Sequence, residues 1–455
     1  MLKKITLAKR TCLPPDPIDE IFTQIPSINE KRLLDGLPEI NNLSVGEPHL
    51  NINPAVLQDF IYSLNQRILN DQTSLIFNYS PLSGNPATLE AISALYKYYY
   101  PNLHYSSQEV MISNGATQGI WNALNILIDI DDEVLIFEPY YSTYDIQIKT
   151  LGGKLVKIPT QDNAFKPSGK LLNNAMSMHP NIKVLILNYP NNPTGIDLTK
   201  QEVAEIAEVL QRYPSVSIII DDVYRELTYA EHFTVLDIDP LLKNRSIVVN
   251  SASKGLIGAP GIRAGMVGAN AEWIKQMINI QAISVCSISC FTEQVLIAGI
   301  KHKLTPSSYY NNWIHESKQA YLTNKQYVSQ KLIALGFRVI PGEHGFFILA
   351  ASNVINHVVP DVILFQSEDG KAHIIKNLHQ KLGTKMLHND RYLAAYLLHV
   401  AGIAVVPGSA FGIDEYAGYL RFSCAKPFND LKLAMSNVKI ALQYLSTRNI
   451  DHVSI

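Results

Sequence analysis

The sequence predicts an α/β protein, with a large domain built on a mostly parallel, mixed sheet covered by helices and a smaller α+β domain. From about residue 109, short β-branched runs alternate with longer amphipathic stretches. Two of the short runs, 184–187 and 218–220, are apolar without alternation, as expected of strands buried on both faces. Repeated βα units with such strands imply a mostly parallel sheet.

The strands and helices of the large domain follow this alternation in order. The predicted strands are 109–113, 133–138, 154–158, 183–187, 216–221 and 246–250, with 262–268 as a further candidate. The predicted helices are 117–128, 142–151 and 200–211. Each of these helices follows a predicted strand, so each is expected to cross over and cover one face of the sheet.

The chain is expected to divide into three parts. Its 455 residues suffice for two or three domains and a large core. Residues 1–58, rich in proline and asparagine, predict an N-terminal arm and part of the small domain. Residues 59–315 form the large domain, and 316–455 form the small domain with a helix from near Ser317. Within it, 352–390 is polar and weakly patterned, which predicts an insertion that either covers a ligand pocket or is a solvated excursion.

The composition excludes several classes of protein. Hydrophobic residues make up 47% of the chain and charged residues 17%, which indicates a folded globular protein. The net charge of -2 favours neither nucleic acid nor an anionic membrane as a partner. The basic N-terminus has no apolar segment after it, so no signal peptide is expected, and no apolar run is long enough to span a bilayer.

The cysteines and histidines predict no metal site. The cysteines also favour a cytoplasmic location. The four cysteines are sparse, and Cys286 and Cys290 have no second pair with them, so buried apolar packing is the better interpretation. The 13 histidines show no metal-ligand spacing. Sparse cysteines are typical of a reducing cytosol.

A glycine turn follows the first predicted strand. Residues 114–119 are Asn-Gly-Ala-Thr-Gln-Gly, and a predicted helix begins within them. Such a turn presents free backbone N–H groups and the positive end of the helix dipole, which suits a phosphate. An ordinary helix cap would use the same residues without any ligand.

Aromatic and amide side chains follow the next strand ends. Tyr140 and Tyr141 come after 133–138, where a tyrosine either stacks on a flat heteroaromatic ring or packs in the core. Residues 188–195, Asn-Tyr-Pro-Asn-Asn-Pro-Thr-Gly, follow 183–187. Their prolines constrain the loop and their amides are available for hydrogen bonds.

Two aspartates and a lysine follow the remaining strands. Asp221 and Asp222 end a buried run, where a carboxylate is costly unless it is paired, and only one of two consecutive strand residues can face a ligand. Lys254 lies among small residues and glycines, with Arg263 nine residues further on. A lysine amine can form an imine with an aldehyde, and this kind of loop can hold the attached anion. All five loops meet at one sheet edge, which predicts one site for pyridoxal phosphate (PLP).

The sequence resembles the class I/II aminotransferases, which are fold-type-I PLP-dependent enzymes. The resemblance extends over nearly the whole chain. The matching segments are Leu43-Ser44-Val45-Gly46-Glu47-Pro48, Tyr79 with Gly84, Asn114-Gly115-Ala116-Thr117, Asn192-Pro193-Thr194-Gly195, Asp221-x-x-Tyr224, Ser251-x-Ser253-Lys254, Val406-Pro407-Gly408-Ser409-Ala410-Phe411-Gly412 and Tyr419-Leu420-Arg421-Phe422-Ser423.

The resemblance implies a role for each residue around the cofactor ring. Lys254 forms the Schiff base with PLP and later moves a substrate proton. Asp221 pairs with the pyridine nitrogen, so the ring accepts electrons. Tyr224 and Asn192 hydrogen-bond the ring oxygen, and Tyr141 stacks on the ring. Lys254, Asp221 and Tyr224 are thus the expected catalytic residues.

The resemblance also implies a phosphate site, a substrate site and a homodimer. Arg421 is expected to hold the substrate α-carboxylate with the Gly46 backbone and Asn192, because its planar guanidinium matches a carboxylate. Tyr79 is expected to reach the phosphate bound by a neighbouring subunit, so the two sites of a homodimer are shared. The residues expected to hold the phosphate within one subunit are Ala116, Thr117, Ser251 and Arg263.

The expected activity is transfer of an amino group between an L-amino acid and a 2-oxo acid by a ping-pong mechanism. The same residues also serve PLP-dependent lyases, decarboxylases and amino-acid oxidases, and sequence does not distinguish these reactions. A non-catalytic regulator with this fold is a third, less favoured alternative. The spacing from Lys254 to Arg263 is one residue longer than in many members of the family and resembles the alanine aminotransferase branch.

Overall fold

The computed structural model describes residues 16–50, 52–72, 77–366 and 372–445. The strands are β1 Asn41–Asn42, β2 Val110–Asn114, β3 Glu133–Glu138, β4 Lys154–Pro159, β5 Ile182–Leu187, β6 Ser217–Asp221, β7 Ser246–Ser251, β8 Ala264–Gly268, β9 Arg338–Val339, β10 Phe347–Ala351, β11 Ile363–Gln366, β12 Ala372–Ile375, β13 Ile403–Ala404, β14 Val406–Pro407 and β15 Tyr419–Ser423.

Helices occupy much of the remaining described chain. They are α1 Pro17–Leu34, α2 Pro54–Leu69, α3 Pro86–Tyr99, α4 Ala116–Leu127, α5 Thr143–Thr150, α6 Gly169–Met178, α7 Lys200–Arg212, α8 Val235–Ile238, α9 Ala271–Ser284, α10 Cys290–Leu304, α11 Ser308–Ala334, α12 Leu378–Leu382, α13 Asp390–Tyr396 and α14 Phe428–Gln443.

The main sheet has seven strands in the order β2-β8-β7-β6-β5-β3-β4. Strand β8 is antiparallel to both of its neighbours, and the other pairs are parallel. The carboxyl ends of β2, β3, β5, β6 and β7 therefore lie at one edge. The predicted α/β fold with a mostly parallel, mixed sheet is confirmed, and the predicted strands differ from the observed ones by one or two residues at their ends.

Both faces of this sheet are buried, because alternate residues of its central strands enter different apolar clusters. Ile218 and Ile220 of β6 belong to one cluster, with side chains of α7. Ile219 belongs to another cluster, with Ile120 and Leu124 of α4. Helices thus cover the sheet on both sides, which explains the uninterrupted apolar runs in the sequence.

A second, antiparallel sheet lies in the C-terminal part, in the order β14-β15-β10-β9. It shares an apolar cluster with side chains of α11 and α14. The short strand β1 pairs in parallel with β13, so the chain just after α1 docks on C-terminal residues. The proposed domain limits at 58/59 and 315/316 stay a prediction; the second of them falls within α11.

Two sequence interpretations were wrong in detail. The helix expected from near Ser317 begins at Ser308, because the Ser307 hydroxyl caps it by accepting a hydrogen bond from the Tyr310 N–H at 3.1 Å. The weakly patterned segment 352–390 contains an antiparallel hairpin of β11 and β12 that was not predicted. The sequence of β11, Ile-Leu-Phe-Gln, does not alternate apolar and polar residues although its burial does, so the pattern gave no signal.

Parts of two predicted segments lie outside the described residues: 1–15 and 51 of the N-terminal arm, and 367–371 of the insertion. Among the helices that the structure does describe, none is long and apolar enough to cross a membrane. The same part of the chain contains no group of three or more His, Cys, Asp or Glu side chains arranged to hold a metal ion.

Candidate active site

A cavity of about 750 Å³ lies at the sheet edge where the five loops meet. Its wall also includes residues of α1, the segment after β1, and strands β10 and β15. The sequence-predicted residues that line it are Gly46, Ala116, Thr117, Tyr141, Asn192, Asp221, Tyr224, Ser251, Lys254, Arg263 and Arg421. Tyr79 does not line it and is 88% exposed, facing away from the chain's own core.

Lys254 extends into the cavity from the loop after β7. Its ammonium donates a hydrogen bond to the Gly46 carbonyl and lies 5.9 Å from the centre of the Tyr224 ring. Burial, and then the positive charge of Arg421, lower the pKa of Lys254 to about 8. A substantial share of the amine is therefore neutral near pH 8, which is the form that attacks an aldehyde or accepts a proton.

Asp221 and Asp222 point to opposite sides of β6, as their consecutive positions require. Asp221 lines the cavity, and one of its oxygens accepts a hydrogen bond from the Tyr144 hydroxyl. Its other oxygen, Oδ1, is buried and has no hydrogen-bond partner among the residues that the structure describes. Burial raises the pKa of Asp221 to about 6, although the Tyr144 hydrogen bond opposes this rise.

Asp222 is instead fully paired on the far side of the strand. It accepts hydrogen bonds from Arg225 Nε at 2.6 Å, His232 Nε2 at 2.9 Å and the Tyr100 hydroxyl at 2.6 Å. Burial acts against ionisation, but Arg225 and His232 outweigh it and lower the pKa of Asp222. Asp222 therefore stabilises the loop after β6 by joining Arg225, His232 and Tyr100.

One end of the cavity has the properties of an anion site. Ala116 and Thr117 begin α4, and its N-cap, Gly115, provides no side-chain cap. Gly115 has φ +79°, and a Cβ there would lie 2.3 Å from the Arg263 guanidinium, so only glycine allows this approach. Ser251, at the end of β7, lines the same cavity. Free N–H groups, a helix dipole and a guanidinium converge here.

Arg421 is buried in the wall of the cavity, and no described carboxylate pairs with it. The side chain is 1% exposed and donates to Asn192 Oδ1 at 2.8 Å and to the Ser44 carbonyl. Within the same described ranges its Nε has no hydrogen-bond partner, and the Phe347 ring centre lies 4.2 Å from the guanidinium carbon. Burial lowers the pKa of Arg421 to about 10. A buried guanidinium held only by neutral groups is suited to an incoming carboxylate.

Tyr224 and Asn192 lie between these groups. Tyr224 is 5% exposed and packs edge-on against Phe346 and Phe347. The backbone N–H of Asn192 donates to the Asn188 side chain at 3.1 Å, which in turn donates to the Asp221 carbonyl at 3.0 Å. The predicted asparagine loop is thus tied directly to the end of β6.

Sequence interpretation assigned no role to several residues in or behind the wall. Tyr144 follows Tyr141 by three positions and lies behind the wall, where its hydroxyl donates to Asp221. Phe347 lies in an ordinary apolar strand, so no local signal distinguishes it. The N-terminal helix α1 contributes Ile18, Asp19 and Phe22, although the sequence suggested only an arm that docks elsewhere.

These groups fit a coenzyme that has an aldehyde, a basic ring nitrogen and a phosphate. Lys254 is a lysine of lowered pKa in a cavity, and the unpartnered buried Oδ1 of Asp221 is available to a protonated ring nitrogen. The amino end of α4 and Arg263 match a phosphate. These three features point to PLP from the geometry itself.

The chain belongs to the family of class I and II aminotransferases, whose model matches residues 38–436. It is accordingly a PLP-dependent aminotransferase. The sequence prediction of family, fold type, enzyme class and cofactor is confirmed, and the lyase, decarboxylase, oxidase and regulator alternatives lose their support. The resemblance of the Lys254 loop to the alanine aminotransferase branch stays a prediction.

Individual relatives agree with this assignment. The chain is 27% identical over 404 residues to an aspartate aminotransferase of Bacillus sp. strain YM-2, covering 88% of this chain and 91% of the relative. It is 30% identical to a probable aspartate/prephenate aminotransferase of Rickettsia typhi, covering 89% and 91%. Aspartate aminotransferase from Rhizobium meliloti superposes with a TM-score of 0.81 at 26% identity, covering 97% of this chain and 100% of that one.

Proposed function

We propose that the enzyme transfers the amino group of an L-amino acid to a 2-oxo acid in two half-reactions, with the α-carboxylate of each substrate held by Arg421. The observation that supports this most directly is the buried guanidinium of Arg421, which faces the cavity of Lys254 and is paired with no carboxylate in the described part of the chain. Amino acids and 2-oxo acids share a carboxylate next to the reacting carbon, so one arginine serves both half-reactions.

The proposed residue roles follow from these positions. When bound, PLP withdraws electrons from the bonds of the substrate Cα. Asp221 holds its ring nitrogen in the protonated state, since a buried carboxylate without a partner is stabilised by an adjacent positive charge. Tyr224 and Asn192 hold the ring oxygen, and Tyr141 stacks on the ring. Ala116, Thr117, Ser251 and Arg263 hold the phosphate.

Lys254 is the proposed base for the substrate Cα proton. Its pKa of about 8 lies near the physiological range, where a proton can be taken up and released at similar cost. Its hydrogen bond to the Gly46 carbonyl anchors the amine beside Tyr224. The apolar rings of Phe346 and Phe347 limit the access of water to this end of the cavity.

Coenzyme attachment tests the role of Lys254. Borohydride reduction of the holoenzyme, followed by peptide mapping, is expected to find the coenzyme on Lys254. Lys325 is an internal control, because it is also buried with a pKa lowered to about 8, but it donates to the His344 carbonyl and does not line the cavity. Label on Lys325, or retained label in Lys254→Ala, would contradict the assignment.

Substitution of Arg421 tests the carboxylate site. Arg421→Lys keeps the charge but loses the planar pair of donors, and we expect kcat/KM to fall by roughly 30-fold or more, equivalent to about 2 kcal/mol. Arg212→Lys is the matched control, because Arg212 is exposed and contacts Glu208 and Asn173 at the surface, away from the cavity. An unchanged kcat/KM for Arg421→Lys would mean that another residue holds the carboxylate.

We propose further that the enzyme is a cytoplasmic homodimer in which Tyr79 completes the phosphate site of the neighbouring subunit. The exposed side chains of Tyr79 and Phe77 support a surface that is covered in an assembly. The described cysteines, Cys286, Cys290 and Cys424, form no disulfide, in keeping with a reducing compartment. Light scattering should find two chains, and Tyr79→Phe should weaken coenzyme binding without dissociating them.

A further inference from the structure

The positive charges of the cavity are already assigned. Among the residues that the structure describes, the cationic side chains in its wall are Lys254, Arg263 and Arg421. In the proposed function these bind the coenzyme aldehyde, the phosphate and the substrate α-carboxylate. A substrate with a second carboxylate would need another cation to replace its lost hydration, and this part of the wall does not provide one.

The wall that remains for a substrate side chain is apolar and acidic. Helix α1 places Ile18, Asp19 and Phe22 along the cavity, and Val45 and Glu47 extend it. The pKa of Asp19 is raised by burial and then by neighbouring Asp16, with no described cation to oppose these effects. Two carboxylates therefore face the space into which a substrate side chain would extend.

Helix α1 is attached to the cavity rather than lying loosely above it. Asp16, its N-cap, accepts hydrogen bonds from the Ser142 hydroxyl at 2.9 Å and from the Thr143 hydroxyl at 3.0 Å. These residues directly follow Tyr141, the proposed ring-stacking residue. Asp19 follows Asp16 by three residues in the same helix. It is close enough to Tyr141 for its charge to add to the effect of burial, which raises the pKa of Tyr141. The acidic wall is thus held next to the reaction centre.

We propose that this site selects amino acids with an apolar side chain and that Asp19 acts against substrates with a second carboxylate. This inference rests on the proposed function, because it assumes that Arg421 binds the α-carboxylate. An apolar side chain would pack against Ile18, Phe22 and Val45 and bury their surface. A carboxylate at the same place would lie near Asp19 and Glu47, which line the cavity and are themselves exposed, and like charges repel even when solvent screens them in part.

The proposed preference for apolar side chains differs from the dicarboxylate substrate that the names of the relatives give. Those proteins are called aspartate or aspartate/prephenate aminotransferases, and at this identity the fold and cofactor site can be shared while the side-chain pocket differs. The pocket of this chain differs from a dicarboxylate site in chemical terms. Its described wall lacks the additional cation and contains additional acids.

Half-reaction rates of the PLP-loaded enzyme test the proposal. We expect kcat/KM for L-leucine, L-methionine or L-phenylalanine to exceed that for L-aspartate and L-glutamate by about tenfold or more. L-glutamine and L-glutamate form an isosteric pair that differs in charge, and L-glutamine should react faster. Equal or faster reaction of the dicarboxylates would overturn the proposal and indicate a cation from a partner subunit or from residues outside the described ranges.

Two neighbouring substitutions then test Asp19 itself. Asp19→Asn should raise kcat/KM for L-glutamate relative to L-glutamine by roughly 3- to 10-fold, since it removes one partly screened charge. Glu20→Gln removes a charge from the same helical turn at a residue outside the cavity wall and should leave the ratio unchanged. An unchanged ratio in Asp19→Asn would remove Asp19 as a determinant. Failure of every amino acid to react would instead reject the proposed function.

Discussion

Asp221 and Asp222 are adjacent, both buried and both at the end of β6, yet their surroundings differ completely. Asp222 has an arginine, a histidine and a tyrosine as partners. On one oxygen Asp221 accepts a hydrogen bond from the Tyr144 hydroxyl, while its Oδ1 is buried and has no hydrogen-bond partner among the described residues. Their pKa values shift in opposite directions as a result: Asp222 is lowered, and Asp221 is raised to about 6.

The difference distinguishes the carboxylate that the protein pairs itself from the one that we propose to hold the coenzyme. A buried charge that the protein pairs completely has no capacity left for a ligand, and the loss of one partner is costly because it leaves the other charge uncompensated. A buried charge that the protein leaves partly unpaired is costly by itself and gains a partner when a cationic group binds. Unmet hydrogen-bonding capacity in a cavity, as at Asp221 and Arg421, is therefore the feature that marks this site.

The largest expected effect is on stability, in Asp222→Asn. The substitution leaves Arg225 and His232 buried without their shared counter-charge, and we expect a loss of about 3–5 kcal/mol in the free energy of unfolding. Urea denaturation of the coenzyme-loaded enzyme measures this loss. The matched variant Asp221→Asn should lose far less; equal losses in the two variants would erase the distinction between the two aspartates.

The next effect is on catalysis, in Asp221→Asn. The amide keeps the size of the side chain but cannot hold a protonated ring nitrogen, and we expect the half-reaction rate to fall by about a hundredfold, or about 2.7 kcal/mol. Single-turnover kinetics with saturating coenzyme measure it. The folded fraction of Asp222→Asn should retain a rate close to that of the wild type, and a comparable loss there would show that both carboxylates serve the chemistry.

The smallest expected effect is a dependence of the unfolding free energy on pH, which comes from His232, a partner of Asp222. His232 is bound between Asp222 and Asp197, and although burial opposes its charge, these carboxylates raise its pKa from 6.5 to about 9. The raised pKa means that its contribution to stability is complete below pH 6.5 and is lost as the pH rises through 9. The same ion pair lowers the pKa of Asp222, so the two shifts describe one interaction.

We therefore expect the wild-type enzyme to lose about 2 kcal/mol of unfolding free energy between pH 7 and pH 9 through this group. His232→Gln should be less stable at pH 7 and should lack this part of the slope. Unfolding free energies at several pH values in both proteins measure it. A slope that persists unchanged in His232→Gln would assign the pH dependence to other groups.

The sequence allowed much of the fold and the site to be predicted, because the relevant signals are local. Apolar runs located the central strands, and glycine, proline and asparagine located the loops at their ends. The expectation that these loops meet follows from the parallel direction of the strands. The predicted helix at Ser317 exists, but it begins nine positions earlier than expected, since the capping residue Ser307 is one of many serines in the chain.

The contribution of α1 could not be predicted in this way. Its attachment depends on Asp16 meeting Ser142 and Thr143, more than a hundred residues away in the chain. The short strand β11 was also missed, since only burial of Ile363 and Phe365 shows that its alternation is real. Contacts across long sequence separations leave no periodic trace in either segment.

The sequence by itself determined the chemical groups at the strand ends and the order in which the loops deliver them, because strand period and loop composition are properties of neighbouring residues. Only the tertiary structure decided which aspartate faces the cavity with a free oxygen, and that Arg421 meets Asn192 across 229 positions of sequence. It also brought Ile18, Asp19 and Phe22 of α1 to the wall of the cavity. Burial and pairing depend on all the elements that surround a group, and these come together only when the chain folds.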